Sequence, residues 1–178
     1  MIGGGKINTC IVKTTKKDID RVMVIIGEAR RSIGQLGIDQ WQYGYPSRDI
    51  IKDDVTKGIS YIVKDEENEI LGTFCLREDE EPTYKEIYDG VWLNKGASFA
   101  LHRIALCDNA RGKGIAQKII EFISGKCREA GVASVKVDTH QGNLPMRKML
   151  EKNGFVYCGI IHLATGEESV AYEKMIWN

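Results

Sequence analysis

Six consecutive residues, Arg111-Gly112-Lys113-Gly114-Ile115-Ala116, carry the most legible chemistry in this sequence. They follow an almost wholly apolar run, Ser98 to Cys107, and lead into a helical pattern ending near Gly131. That order reads as a buried strand feeding a helix N-terminus. A helix start presents backbone N–H groups without intrahelical partners and the positive end of the peptide dipoles, so it attracts anions. Gly112 and Gly114 let the backbone come close, while Arg111 and Lys113 add two cations, a combination suited to a diphosphate rather than a single carboxylate. Two familiar phosphate loops are excluded: G-x-x-x-x-G-K-S/T is missing, and the glycine spacing does not give G-x-G-x-x-G followed by an acidic strand end.

The elements that must hold this loop follow from apolar spacing. Ile7 to Lys13 reads as a short strand. Ile19, Val22, Met23, Ile26, Ala29, Ile33 and Leu36 recur at the helical period, after a capping box from Thr15 to Asp18 and before a stop at Gly37. An aromatic loop with Trp41, Tyr43, Tyr45 and Pro46 leads to a second helix capped by Ser47, and Ser60 to Lys64 with Ile70 to Arg77 form a hairpin. Glu78 to Gly96 is acidic and aromatic, lacks a clean period and is longer than a routine connection, so it is either a functional flap or an insertion with short elements of its own. After the Gly-rich loop and its helix come a strand from Ala133 to Thr139, a helix from Asn143 to Lys152 ended by Asn153-Gly154, a strand from Phe155 to Leu163, and a last hairpin turning at Thr165-Gly166. No repeat or linker divides the chain, which reads as one mixed α/β domain over residues 1–178.

Composition narrows the function classes. The 178 residues hold 25 basic and 25 acidic side chains, with 43% apolar residues, which excludes disorder as the main state. Zero formal charge and an isoelectric point near 6.8 argue against a dedicated duplex-DNA binder. The five cysteines, Cys10, Cys75, Cys107, Cys127 and Cys158, form no C-x-x-C pair and read as free thiols of a reducing compartment. Three histidines without close spacing give no support to a structural zinc. No apolar run approaches the ~20 residues of a bilayer span, and the Gly-rich start has no signal-peptide core, so a cytoplasmic protein without membrane contact is expected.

Arg111, Gly114 and Ala116 also meet the signature R/Q-x-x-G-x-G/A in full, Asn143 opens the next helix, and Glu151-Lys152-Asn153-Gly154-Phe155 matches an E-K-x-G-F helix ending. In this ordered set the sequence resembles the GNAT family of N-acetyltransferases, from roughly the first strand to the last and most closely from Leu101 to Gly159. The resemblance implies an α/β fold with a mixed, mostly antiparallel central sheet flanked by helices. Two parallel strands, Ser98 to Cys107 and Ala133 to Thr139, would splay apart to form a cleft for acetyl-CoA as cosubstrate. Diverging strands leave peptide groups unpaired, and the two amides of the pantetheine arm can complete the ladder. Ile104, Ala105 and Leu106 would supply those backbone partners, residues 111–116 the diphosphate grip, and Asn143, Met146 and Lys152 the other wall.

Acetyl transfer also needs a neutral amine, whereas an alkylammonium has a pKa of about 10.4, so a proton acceptor is required. Many family members place a carboxylate on the strand before the signature. Here that strand carries His102-Arg103, which makes His102 the first candidate base and His140, beside Asp138, the second. Leu150 stands where many members have the tyrosine that protonates the departing thiolate; Tyr157 would substitute only if the fold brings it back. The acceptor is expected to be a primary amine of a small molecule or of a protein, selected by residues 39–43 and drawn by the acidic run Glu78 to Glu81, with the enzyme a monomer or homodimer. Two other readings stay open: a CoA-binding regulatory module without turnover, and RNA contact through Arg111, Lys113, Lys118 and Lys126, which competes with the diphosphate for the same cations.

Overall fold

Apolar residues at helical and alternating spacing form the expected elements in a computed structural model that describes residues 8–78 and 81–177. In chain order they are β1 (Thr9–Lys13), α1 (Ile19–Gly34), α2 (Arg48–Thr56), β2 (Ser60–Asp65), β3 (Ile70–Arg77), β4 (Ser98–Leu106), α3 (Ile115–Ala130), β5 (Ser134–Thr139), α4 (Leu144–Lys152), β6 (Val156–His162) and β7 (Glu168–Met175). The strands make a mixed α/β sheet in the order β1-β2-β3-β4-β5-β7-β6. Its pairs β1-β2, β2-β3, β5-β7 and β6-β7 are antiparallel, and β4-β5 is parallel. The expected first strand begins at Thr9; Ile7 lies outside the described residues. The chain divides into two units, residues up to Cys75 with Arg103–Ile119, and Leu76–His102 with the residues from Ile120 onward.

In the first unit the Asp18 carboxylate accepts from the Thr15 N–H (2.8 Å) and hydroxyl (2.7 Å), so the capping box starts a short 3-10 turn from which α1 continues. The α1 residues Ile19, Val22, Ile25, Ile26 and Ala29 are buried along one stripe, and each large aliphatic side chain so buried contributes ~1.5–3 kcal/mol. Ser47 caps α2 by accepting from the Ile50 N–H at 3.4 Å. Across the β2-β3 register Tyr61 stacks on Phe74, with ring centres 5.1 Å apart. Gly72 matters here for its missing side chain: a Cβ would come within 2.6 Å of Leu106 Cδ2 and 3.1 Å of the Ala105 carbonyl oxygen, so glycine lets the end of β4 sit close to β3.

In the second unit Tyr84, Ala100, Ile161 and Ala171 form a buried cluster, with Ile87, Trp92 and Leu163 packed against it. The part of the chain from Glu81 to β4 is therefore anchored. It carries a 3-10 turn at Pro82–Tyr84 and a bridge from Tyr88 to Ile160 of β6. The fully buried Glu173 carboxylate accepts the N–H groups of Leu93 (2.6 Å) and Asn94 (3.2 Å) and also the Ser134 hydroxyl. Gly90 lets this segment pass close to β6, since a Cβ there would meet the Cys158 carbonyl oxygen at 1.9 Å. Buried carboxylates need such partners, because an unsatisfied one costs several kcal/mol.

Candidate active site

The Gly-rich loop belongs to the first unit. Its approach is pinned by the Cys107 N–H donating to the Leu71 carbonyl (2.9 Å) and the Asp108 N–H donating to Glu28 (2.8 Å). The chain is extended at Arg111 and left-handed at Gly112 (φ 73°) and Gly114 (φ 77°), a conformation that costs other residues about 1–2 kcal/mol. After these alternating conformations α3 begins at Ile115. Among the described residues none accepts a hydrogen bond from the N–H groups of Gly112 to Ala116. A Cβ built on Gly112 or Gly114 would meet nothing within 4 Å. The Arg111 guanidinium lies at the edge, 2.7 Å from the Ser32 hydroxyl and 3.1 Å from Asp108, and Lys113 is exposed. Open donors, two cations and room above the backbone fit the diphosphate of a coenzyme A thioester.

Upstream of the loop, Arg103 breaks the strand conformation with φ 51°, a value few residues other than glycine, asparagine or aspartate adopt. Its guanidinium makes a two-pronged contact with buried Asp54 of α2, Nε to Oδ2 and Nη2 to Oδ1, both 2.8 Å, and reaches the Tyr45 hydroxyl (2.8 Å) and Cys75 Sγ (3.3 Å). Ile104 and Leu106 are half-buried and Ala105 is buried. Of the aromatic loop, Trp41 is half-buried and tilts against Tyr45, whereas Tyr43 is 87% exposed.

The second unit holds the histidines. Here β4 pairs with β5 only from Ser98 to Ala100, opposite Ser134 to Lys136, and Val137 to Thr139 keep their ladder to β7 alone. His102 lies just past that short ladder. Its Nε2 is 3.0 Å from Glu81 Oε2, and its ring is 5.8 Å from that of Tyr84. Glu81 also accepts from Arg77 Nη1 (3.0 Å) and from the Thr83 hydroxyl (3.0 Å). Of the acidic run, Glu81 is engaged and Glu78 is exposed, while Asp79 and Glu80 lie outside the described residues. The His102 strand itself carries no acid, and the acid that meets the ring comes from the neighbouring segment, where only the Pro82-Thr83 turn start hints at a fixed position in the sequence.

Burial pushes the Glu81 carboxyl up, but the hydrogen bond and charge of His102, with Thr83 after them, outweigh it and hold the group at about 2. A folded value below the unfolded one means that the contact stabilises fully above about pH 4.5 and fades as the pH falls toward about 2. Glu81→Gln is therefore expected to flatten the acid-side loss of stability in that window and to run parallel to the wild type above it. Urea unfolding at a series of pH values checks this, and parallel curves throughout would refute it.

The other candidates have definite places. His140 Nδ1 accepts from the Gly142 N–H at 3.0 Å, so that lone pair is already engaged. Asn143 is buried and caps α4, accepting from the Met146 N–H at 3.3 Å; Met146 is half-buried and Lys152 exposed. Leu150 is wholly buried and is a core residue. Tyr157 is exposed and packs edge-on against Tyr172, at 5.8 Å. Among the described residues no group of histidine, cysteine or acidic side chains could hold a metal, and no helix is long and apolar enough to cross a membrane.

The sequence matches the family model of the GNAT acetyltransferase family over residues 30–155. The chain belongs to that family. A GNAT acetyltransferase from Streptococcus agalactiae 2603 has 34% identity over 94% of this chain and 95% of its own, with a TM-score of 0.83. GNAT acetyltransferases from Listeria monocytogenes 4b F2365 (18% identity, 98% of both chains, TM-score 0.74) and Bacillus cereus ATCC 10987 (18% identity, 96% of this chain and 99% of that one, TM-score 0.62) share the fold at lower identity. No curated protein matches the sequence. Membership in the GNAT family gives acetyl transfer as the general activity, and the seven-stranded, mostly antiparallel sheet agrees with it.

Proposed function

We propose that this chain transfers the acetyl group of acetyl-CoA to a primary amine of a small molecule or a protein, as a cytoplasmic enzyme working as a monomer or homodimer. The observation that carries the reading is the run of N–H groups from Gly112 to Ala116, which includes two left-handed glycines and has no acceptor among the described residues. These amides, with Arg111 and Lys113, hold the diphosphate. Ile104, Ala105 and Leu106 offer backbone groups to the pantetheine arm, and a Leu106 N–H facing the reacting carbonyl would stabilise charge there. Asn143, Met146 and Lys152 are assigned to the cofactor by the family resemblance.

When bound, acetyl-CoA supplies an activated thioester. In the balanced reaction an alkylammonium becomes an amide: the C–S bond breaks, an N–C bond forms, the thiol keeps one proton and a second proton leaves. His102 accepts the proton that must depart before the amine can attack. A thiol with a pKa of about 8.5 is a tolerable leaving group without a general acid, which suits a chain with Leu150 at the usual tyrosine position.

A thermal-shift titration with acetyl-CoA, followed by thiol release across a panel of amines and peptides, tests the function. Saturation at ~100 times Kd should stabilise the fold by about 2.7 kcal/mol. His102→Ala should retain that shift and lose roughly 100-fold in kcat; an unchanged kcat would remove His102 from proton transfer. Buried Leu150 favours a second reading, a CoA-binding module without turnover, which a stabilised protein inert toward every amine would support.

A further inference from the structure

We propose that Glu81 is a positioning residue for His102, holding the imidazole as its Nε2–H tautomer so that Nδ1 presents the lone pair that accepts the proton of the acceptor ammonium. The inference rests on the reading of His102 as the proton acceptor, and it adds a residue, a tautomer and a direction of proton transfer.

The geometry is specific. Glu81 Oε2 lies 3.0 Å from His102 Nε2, with both side chains largely withdrawn from solvent, at 12% and 17% exposure. An ionised carboxylate can only accept, so the ring nitrogen facing it must carry the hydrogen. Glu81 is kept ionised, since its carboxyl sits near 2. A neutral imidazole has one N–H, which leaves Nδ1 as the basic atom, and no described residue bonds to it. The carboxylate is itself pinned: Arg77 Nη1 holds the oxygen that His102 uses, and the Thr83 hydroxyl and N–H hold the other, at 3.0 and 3.4 Å.

The surroundings limit what else can set the ring. From β3 comes Arg77, from the segment after it Glu81, and from the 3-10 turn the Tyr84 ring. The Tyr84 hydroxyl is turned away, donating to Asp138 of β5 at 2.7 Å, whose other oxygen takes the Ser169 hydroxyl at 2.6 Å. Glu81 is thus the group that faces His102 as a hydrogen-bond acceptor. In the transfer, one N–H bond of the ammonium breaks and an Nδ1–H bond forms. The resulting imidazolium keeps its Nε2–H on Glu81, whose charge offsets the new positive charge, and the proton then passes to solvent. A carboxylate that orients a histidine and stabilises its cation acts here without taking the proton itself.

Long-range proton–nitrogen correlation spectra of uniformly 15N-labelled protein read the tautomer without any turnover. Only three histidines are present, and His102→Ala assigns the signal. The expected result is protonated Nε2 and bare Nδ1 in the neutral ring of the wild type, with Glu81→Gln giving a mixture of tautomers. In kinetics, Glu81→Gln should lower kcat about tenfold with the KM for acetyl-CoA unchanged, and Glu81→Asp should recover part of kcat. A neutral wild-type ring with Nδ1 protonated and Nε2 bare would overturn the proposal, as would an unchanged kcat in Glu81→Gln. If Glu81→Gln fails to fold, the wild-type spectrum alone decides. An unaffected kcat in His102→Ala is a separate failure, that of His102 as base, and it leaves the tautomer result readable.

Discussion

Gly114→Glu is expected to weaken acetyl-CoA binding by at least ~100-fold, measured by calorimetric titration, while leaving the protein folded. Two physical effects act together. The position has φ 77°, so any side chain costs about 1–2 kcal/mol of backbone strain. A Cβ meets nothing in the free protein, which is why the fold should survive with a fall in Tm of only a few degrees. The stronger effect arises with ligand: the new side chain fills the space above the amides, and its charge faces a diphosphate. Two like charges at ~4 Å repel by about 4 kcal/mol at an effective dielectric near 20, and a 100-fold loss needs only about 2.7 kcal/mol. Gly114→Ala separates strain from charge, since it keeps the first and omits the second, and it should lose no more than ~10-fold. Wild-type affinity in Gly114→Glu would mean that the coenzyme does not use this loop.

Stability is where the other large change is expected. Asp54→Ala should destabilise the protein by about 3–5 kcal/mol, because truncating one member of a buried pair strands the other charge. Asp54 is 4% exposed and accepts both prongs of Arg103. Burial favours loss of the Arg103 proton, but Cys75, Tyr45 and Asp54 outweigh it and hold the guanidinium even more firmly charged than usual. It cannot escape the penalty by becoming neutral. At ~2–4 °C per kcal/mol for a chain of this size, Tm should fall by roughly 6–20 °C. Asp54→Asn, which keeps an acceptor for the guanidinium, should fall less. Differential scanning fluorimetry checks both, and a loss under ~2 °C in Asp54→Ala would show that the pair contributes little.

These two residues mark the boundary of what was legible. Gly114 was readable because the pattern around it is local: a glycine-rich helix start is encoded within six residues, and the dipole reasoning needs no knowledge of the rest of the chain. Asp54 was not, because its partner lies 49 residues away and an aspartate inside an amphipathic helix looks like any solvated charge. The same division holds for the candidate base. His102 stood out as the titratable residue on a buried strand, yet its partner Glu81 was one of four neighbouring acids. Only the turn at Pro82–Tyr84 and the anchoring of the following segment by Glu173 bring that one carboxylate to the ring.

The amino-acid order by itself determined the succession of helices and strands, their caps and stops, the Gly-rich loop and the family resemblance, because period, propensity and capping act over a few residues. Tertiary structure decided which distant groups meet: Glu81 with His102, Asp54 with Arg103, Glu173 with the Leu93 and Asn94 amides. Charged and polar side chains carry no period that names a partner. Their pairing is selected only when burial makes an unsatisfied group too costly to leave, and burial is a property of the assembled chain.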